Sequence, residues 1–453
     1  MSLWTDAEAE AATLGKASAP FRAGGLSIDT RTIKPGDLFV ALKGDARDGH
    51  DFVEAAFKAG AGAALVSRAV AAKELNNAPV LTVAHTQRGL EDLARAARTR
   101  SRAKVIAVTG SAGKTTTKEI LRHAFDALGS THASAASYNN HWGVPLSLAA
   151  LPREADYGVF EVGMNHFGEI RALVGMVRPH VAIITTIAPA HLEFFGNENA
   201  IADAKSEIFD GLEPGGAALI PADSPYAERL AARARQAHVS TLARFGLDAG
   251  NEAQLVAHEV DGEGMRLKAN IFGIRVDTKV GAPGGHIAAN AVAALGAVAL
   301  AGGDVLNAAA ALKNFVAMKG RGERFTAKGV HVIDESYNAN PASMAAAMSL
   351  LKSAPGRRIA VLGDMLEMGE GGLAHHAALV NPIADADIDL VFAAGTQMQA
   401  LWDVLPSARR GAWAQTAAEL KPRVLAALAP GDTVLVKGSN GSRMSLIIEA
   451  LKV

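Results

Sequence analysis

A short run early in the chain constrains its fold more than any other feature. The apolar strand pattern Val105-Ile106-Ala107-Val108 leads into Thr109-Gly110-Ser111-Ala112-Gly113-Lys114-Thr115-Thr116, and a helical pattern follows from Lys114 to Leu128. Strand, glycine turn and helix in that order open an α/β domain. The glycines let successive backbone N–H groups turn inward around phosphate oxygens, and the helix presents its positive end to the same anion. Lys114 is then placed to neutralise outer phosphates, and the Thr115 hydroxyl to reach a magnesium ion. Gly110, Ser111, Ala112, Gly113, Lys114, Thr115 and Thr116 are the nucleotide-binding candidates of this loop. The general nucleotide-loop pattern has a glycine where this chain has Val108, so the loop is the shorter TGxxGKTT form.

The same reading extends along the chain. Apolar strands at Gly158-Val159-Phe160, Val181 to Ile184 and Ala217 to Ile220, separated by helical stretches, predict a parallel sheet covered on both faces. From Gln254 to Val280 the pattern alternates and is broken at Asp261-Gly262 and Phe272-Gly273, which predicts antiparallel hairpins added to that sheet. Character changes at Ala103 and again at Met318 to Phe325, so the expected domains are 1–102, 103–317 and 318–453, in keeping with about 150 residues per domain. In the last, strands at Val330 to Ile333, Ile359 to Leu362, Leu390 to Ala394 and Thr433 to Val436 lead to Asp334, Gly363, Gly395 and Lys437, whose side of the sheet should face a cleft. Ala291 to Gly303 is too short for a membrane span and reads as a buried helix.

Composition narrows the chemistry. With 45 basic and 46 acidic residues the formal charge is -1, so no overall basic field draws in nucleic acid or an anionic membrane. Zero cysteines remove disulfides, thiolate metal sites and cysteine nucleophiles. The acidic start MSLWTDAEAEAATLGK lacks the pattern of a secretory signal, and the expected location is the cytoplasm. Any polyanion must therefore be met locally. Glu161 ends the strand in YGVFEVGMNHFGEI, on the edge where the loop lies, and a carboxylate there suits a magnesium ion bridging ATP phosphates. His191, read as directly following a strand, and Lys205, on a helix, stand in the segment TTIAPAHLEFFGNENAIADAKSEIF.

These motifs together resemble the Mur ligases over nearly the whole chain: TGSAGKTT, Glu161, AHLEFFG, ADAKSEIF, HIAAN at His286 to Asn290, GRGERF and DESYNANPASM occur in that family's order. The resemblance implies an α/β fold of three domains: an N-terminal domain for a UDP-sugar, a central P-loop ATPase-like parallel sheet with added antiparallel strands, and a C-terminal Rossmann-like domain. It implies an ATP-dependent ligase that activates a carboxylate as an acyl phosphate. In catalysis it implies Lys114, Glu161, His191 and Lys205, with Thr115, Glu161, His191 and Lys205 as magnesium ligands and a carbamate on Lys205. Asn290, Arg321 and Asp334 match contacts to ATP.

Within the family, the run Ser27-Ile28-Asp29-Thr30-Arg31 and the following KPGDLFVALKGDARDGHDF, with Lys43 and His50, resemble a uridine-type N-terminal domain. No Asp-Asn-Pro-Arg run occurs, whereas Leu362 to Gly369 with His375 and His376, and SYNNHWGVPLSL with Asn139 and Asn140, resemble the branch that adds D-alanyl-D-alanine. Asn338, Lys437, Ser439 and Arg443 complete the implied substrate contacts, although Lys437 to Arg443 departs from the KGSR form of many relatives. The implied partners are UDP-N-acetylmuramoyl-tripeptide and D-alanyl-D-alanine, with no nucleic acid, no membrane and a monomeric state. Folylpolyglutamate synthase shares the central fold and the acyl-phosphate chemistry, but the uridine-type segment argues against it. A nucleotide-binding regulator without catalysis is opposed by the joint presence of Glu161, His191 and Lys205.

Overall fold

Alternate residues of the strand Lys104–Thr109 enter different cores: Val105 and Ala107 join one buried cluster, Ile106 and Val108 another. Covering on both faces is why this strand reads as an unbroken apolar run. The computed structural model describes residues 2–68, 78–352 and 354–452. The strand lies within a nine-stranded sheet ordered Ile274–Val280, Gly264–Ile271, Ala253–Asp261, Thr241–Gly246, Ala217–Pro221, Val181–Ile184, Lys104–Thr109, Tyr157–Glu161, Thr131–Ala133. Pairing is parallel from Thr131–Ala133 through Ala253–Asp261 and antiparallel in the last two hairpins. The strands Thr131–Ala133 and Thr241–Gly246 carry no unbroken apolar run, being short or charged, and only the pairing reveals them.

A five-stranded sheet precedes it, with strands between Lys16 and Thr82, and a six-stranded one follows, ordered Glu323–Ala327, Val330–Glu335, Thr433–Lys437, Arg358–Gly363, Leu390–Ala394, Arg410–Ala414. All pairs in the six-stranded sheet are parallel except Glu323–Ala327 with Val330–Glu335. The edge strands Glu323–Ala327 and Arg410–Ala414 are not apparent from the residue pattern, because edges carry charge and alternate in burial. Among the described residues no helix is long and apolar enough to cross a membrane.

Helix Gly285–Leu300 confirms the buried reading of its Ala-rich run: small side chains let it lie close to the sheet, where an added Cβ at Gly296 would meet Ala253 at 3.0 Å and Leu219 at 3.1 Å. The beginning of the chain is tied to the middle by Trp4, which is 1% exposed, lies in the same cluster as Leu146 and Leu148, and donates its indole N–H to the Ala149 carbonyl at 2.9 Å. Replacing Trp4 by Ala removes that contact and leaves a cavity, so the expected loss is about 3–5 kcal/mol. Calorimetric melting of the variant against the parent should show the transition shifted down accordingly.

Candidate functional site

The nine-stranded sheet delivers its functional groups at the carboxyl ends of adjacent parallel strands. Register pairs Glu161 with Val108, so the last residue of one strand stands beside the strand that enters the phosphate loop. In the loop Gly110 has φ 152° and Gly113 φ 80°, conformations that favour glycine. Space demands glycine as well: a Cβ at Gly110 would run into the Thr185 hydroxyl, and one at Gly113 would lie 2.8 Å from Asn290 Oδ1. Thr185 donates to the Ala112 carbonyl at 2.5 Å, and Ser111 Oγ both donates to Ala188 O and accepts from Ala188 N. Thus Thr185 and the segment behind it hold the loop open, a role no local pattern announces.

Around the loop lies a cavity of about 1170 Å³ lined by Ser111 to Thr116, Asn139, Asn140, Glu161, His191, Lys205, Asn290, Arg321, Asn338 and Lys437. Lys114 folds its ammonium onto the Gly110 carbonyl at 2.7 Å, and burial pushes its pKa down, partly offset by Glu161. Thr115 Oγ1 donates to Glu161 Oε2 at 2.7 Å, and Asn139 Nδ2 donates to Glu161 Oε1 at 2.7 Å. Ser137, which opens the SYNNHWGVPLSL stretch but is not itself among the candidates, stands 3.2 Å from Thr115 Oγ1 and accepts from Arg321 Nη2 at 3.0 Å. The Arg321 guanidinium also lies 4.0 Å over the Tyr337 ring, which steadies the side chain that reaches Ser137 from the turn before strand Glu323–Ala327. Asn340, the cap of helix Pro341–Leu351, reaches the Ser111 carbonyl at 3.3 Å from the same side.

Lys205 sits on helix Glu198–Ser206 with 1% exposure. Its pKa is driven well below the ordinary lysine value by burial first and by the Lys114 charge second. The oxygens of Thr115, Glu161 and Ser137 are hard donors of the kind magnesium takes. Among the described residues no group of three or more His, Cys, Asp and Glu side chains is placed to hold a metal ion.

The other candidates make contacts of their own. His191 does not directly follow a strand: the strand ends at Ile184, and His191, with φ 57°, caps the short helix Leu192–Phe195. Its Nδ1 is 2.5 Å from Glu367 Oε2 of the last third, and that contact holds the Glu367 carboxyl below the usual range. Asp334 is fully buried and accepts from the N–H of Gly320 and from the N–H and hydroxyl of Ser336. Its carboxylate is used on the turn that carries Arg321 and does not line the cavity. His50 is likewise committed inward, to Asp48 through Nδ1 and to the Ser67 N–H through Nε2. Ser27, Asp29, Thr30 and Arg31 form a polar turn on the first sheet, outside the cavity lining, with Arg31 paired to Asp29 at 2.5 Å; that pairing lowers the Asp29 pKa to about 2. Lys43 and Arg443 are exposed away from the cavity, and Ser439 Oγ accepts the Leu366 N–H at 3.0 Å. Asn140 lines the cavity, but its Oδ1 accepts from Gly143 N, capping the following helix. Lys437 is buried between Glu335 and the Asn338 carbonyl, and burial lowers its pKa.

The Mur ligase middle domain matches residues 108–298, the Mur ligase glutamate ligase domain residues 320–440, and the Mur ligase family catalytic domain residues 22–100. The chain is 36% identical to the UDP-N-acetylmuramoyl-tripeptide--D-alanyl-D-alanine ligase of Escherichia coli (strain K12), covering 94% of this chain and 93% of that protein. A crystal structure of MurF from Acinetobacter baumannii superposes with TM-score 0.87 at 30% identity, over 99% of this chain and 98% of the other. MurF ligase from Thermotoga maritima in complex with ADP gives 0.78 at 25% identity, over 94% and 97%.

Substituting Lys114 or Glu161 by Ala should cut turnover by about 100-fold or more, because each removes charge at the phosphate site. Neither side chain lies in an apolar core, so melting temperatures should move by less than about 5 °C. Phosphate-release assays beside circular-dichroism melts check both.

Proposed function

The chain belongs to the Mur ligase family, and on that premise we propose that it joins D-alanyl-D-alanine to UDP-N-acetylmuramoyl-tripeptide at the expense of ATP, in cytoplasmic synthesis of the cell-wall precursor. The observation that carries the reading is the convergence, in one cavity, of the phosphate loop, Glu161 and Lys205 with Arg321 and Lys437 from the last sheet. Such an arrangement suits a reaction in which two anions, a nucleotide and a carboxylate, must be brought together.

A carboxylate is a poor acyl donor. Its oxygen attacks the γ-phosphorus of ATP, ADP leaves, and a mixed anhydride results, splitting one difficult displacement into two easier ones. The neutral amine of D-alanyl-D-alanine then attacks the acyl carbon. A C–N bond forms, the C–O bond to phosphate breaks, and the amine proton is released. In this scheme Lys114 leaves the Gly110 carbonyl for the outer phosphates, and Arg321 supplies a second cation from the closing side. Magnesium, which Thr115 and Glu161 would hold, supplies neutralisation of the phosphate oxygens. The Ser27 to Arg31 turn would receive the uridine end of the substrate, and Lys437 the dipeptide carboxylate.

Lys205 would carry a carbamate. Carbon dioxide adds only to a neutral amine, and burial beside Lys114 favours the neutral form. The addition would release a proton and leave a buried carbamate anion that would relieve the repulsion with Lys114 and could hold a second magnesium together with His191, once His191 parts from Glu367.

Two outcomes are expected. Phosphate release with a panel of UDP-muramoyl peptides, folate and amine acceptors should require the tripeptide and favour D-alanyl-D-alanine over any single amino acid; equal rates with a single amino acid would refute the assignment. Incubation with 13C-bicarbonate should give a carbamate carbon resonance that disappears in Lys205→Arg. Its absence from active, bicarbonate-supplied protein would remove the carbamate.

A further inference from the structure

Lys118 lies on the phosphate-loop helix Lys114–Asp126, is fully buried, and does not line the cavity. Its ammonium donates to the Ser134 and Ala136 carbonyls, each at 2.6 Å, and stands 2.7 Å from Glu119 Oε1. Its three N–H groups are matched by three acceptors, but even a well-paired buried charge is often no more stable than packed apolar side chains, so a long apolar side chain would serve here if filling space were the whole task. What the ammonium grips is unusual. Ala136 has φ 42°, a left-handed conformation that a residue with a Cβ adopts at a cost and keeps only where its surroundings impose it.

The residues just beyond that grip meet the site. Ser137 Oγ contacts Thr115 Oγ1 and receives Arg321, and Asn139 donates to Glu161 Oε1 while its own carbonyl accepts from Gly163 N at 2.8 Å. Lys118 thus joins the helix that carries Lys114 and Thr115 to the loop that orients Glu161, without itself reaching a ligand.

We propose that Lys118 is a positioning residue for the metal–nucleotide site: by holding Ala136 in its left-handed conformation it sets Ser137 and Asn139 where they orient Thr115 and Glu161. The proposal rests on the reading that Thr115 and Glu161 hold magnesium. Groups that orient metal ligands commonly change metal affinity by about 10- to 100-fold when removed.

Calorimetric titration of the full chain with ADP, with and without magnesium chloride, tests it. The parent should bind ADP more tightly with magnesium, and Glu161→Ala should lose that gain; a parent without the gain, or Glu161→Ala retaining it, defeats the metal reading itself. With that control in place, Lys118→Met should lose about tenfold or more of the magnesium-dependent gain and keep its magnesium-free ADP affinity within about twofold. Lys118→Arg should retain more of the gain, and adding Ala136→Gly to Lys118→Met should restore part of it, because glycine takes positive φ freely. Because Ala136 is exposed, Ala136→Val disturbs the loop without touching a core and should reproduce the selective loss even if Lys118→Met does not fold. Parent-like magnesium gain in either Lys118→Met or Ala136→Val, or equal weakening with and without magnesium, overturns the positioning role.

Discussion

The contact between the Thr115 hydroxyl and the Glu161 carboxylate, at 2.7 Å, gathers the rest of the site around it. It exists because two strands separated in sequence by two helices and the short strand Thr131–Ala133 pair in parallel with Glu161 opposite Val108. A slip of one residue would turn Glu161 to the other face of the sheet, toward apolar neighbours. Both faces of this strand pair are buried, so the register is held by packing on two sides at once. The phosphate loop follows one of the paired strands, and the Ser137 loop reaches the end of the other through Asn139.

Cations supply the second theme. Lys114, Lys205 and Lys437 all line one cavity, and burial depresses the pKa of each. Crowding positive groups away from water is unfavourable for the protein alone and becomes favourable when phosphates or carboxylates enter. Contacts between the last third and the middle of the chain include the apolar packing of Leu192 and three polar ones, Arg321 with Ser137, Asn340 with the Ser111 carbonyl, and Glu367 with His191. Polar contacts of this kind exchange readily for ligand contacts, which suits a cleft that must admit and release substrates.

Much of the site is legible in the sequence because some chemistry leaves a local trace. The loop Thr109 to Thr116 needs glycine where φ is positive and where Thr185 and Asn290 press close, so its glycines announce it. Glu161 is legible as a polar residue at the end of an apolar strand. Asp334, His50 and Ser439 look alike from the sequence, yet their side chains serve backbone N–H groups within the protein. Ser137 and Thr185 stand inside motif-bearing segments and Lys118 on the predicted helix, yet none is marked out, since serine, threonine and helical lysine are ordinary on any surface and gain meaning only from what they face.

By itself, the order of residues determined the apolar strands, the phosphate loop and its helix, because apolar periodicity and glycine geometry are properties of neighbours in the chain, and its motifs in their order carried the family resemblance; the short or charged strands Thr131–Ala133, Thr241–Gly246, Glu323–Ala327 and Arg410–Ala414 were not legible. Which polar groups meet was decided only in three dimensions. The pairing of His191 with Glu367, the burial of Asp334 and the grip of Lys118 on Ala136 depend on register and on the approach of separate sheets, and hydrogen bonds form only where that geometry brings donor within reach of acceptor.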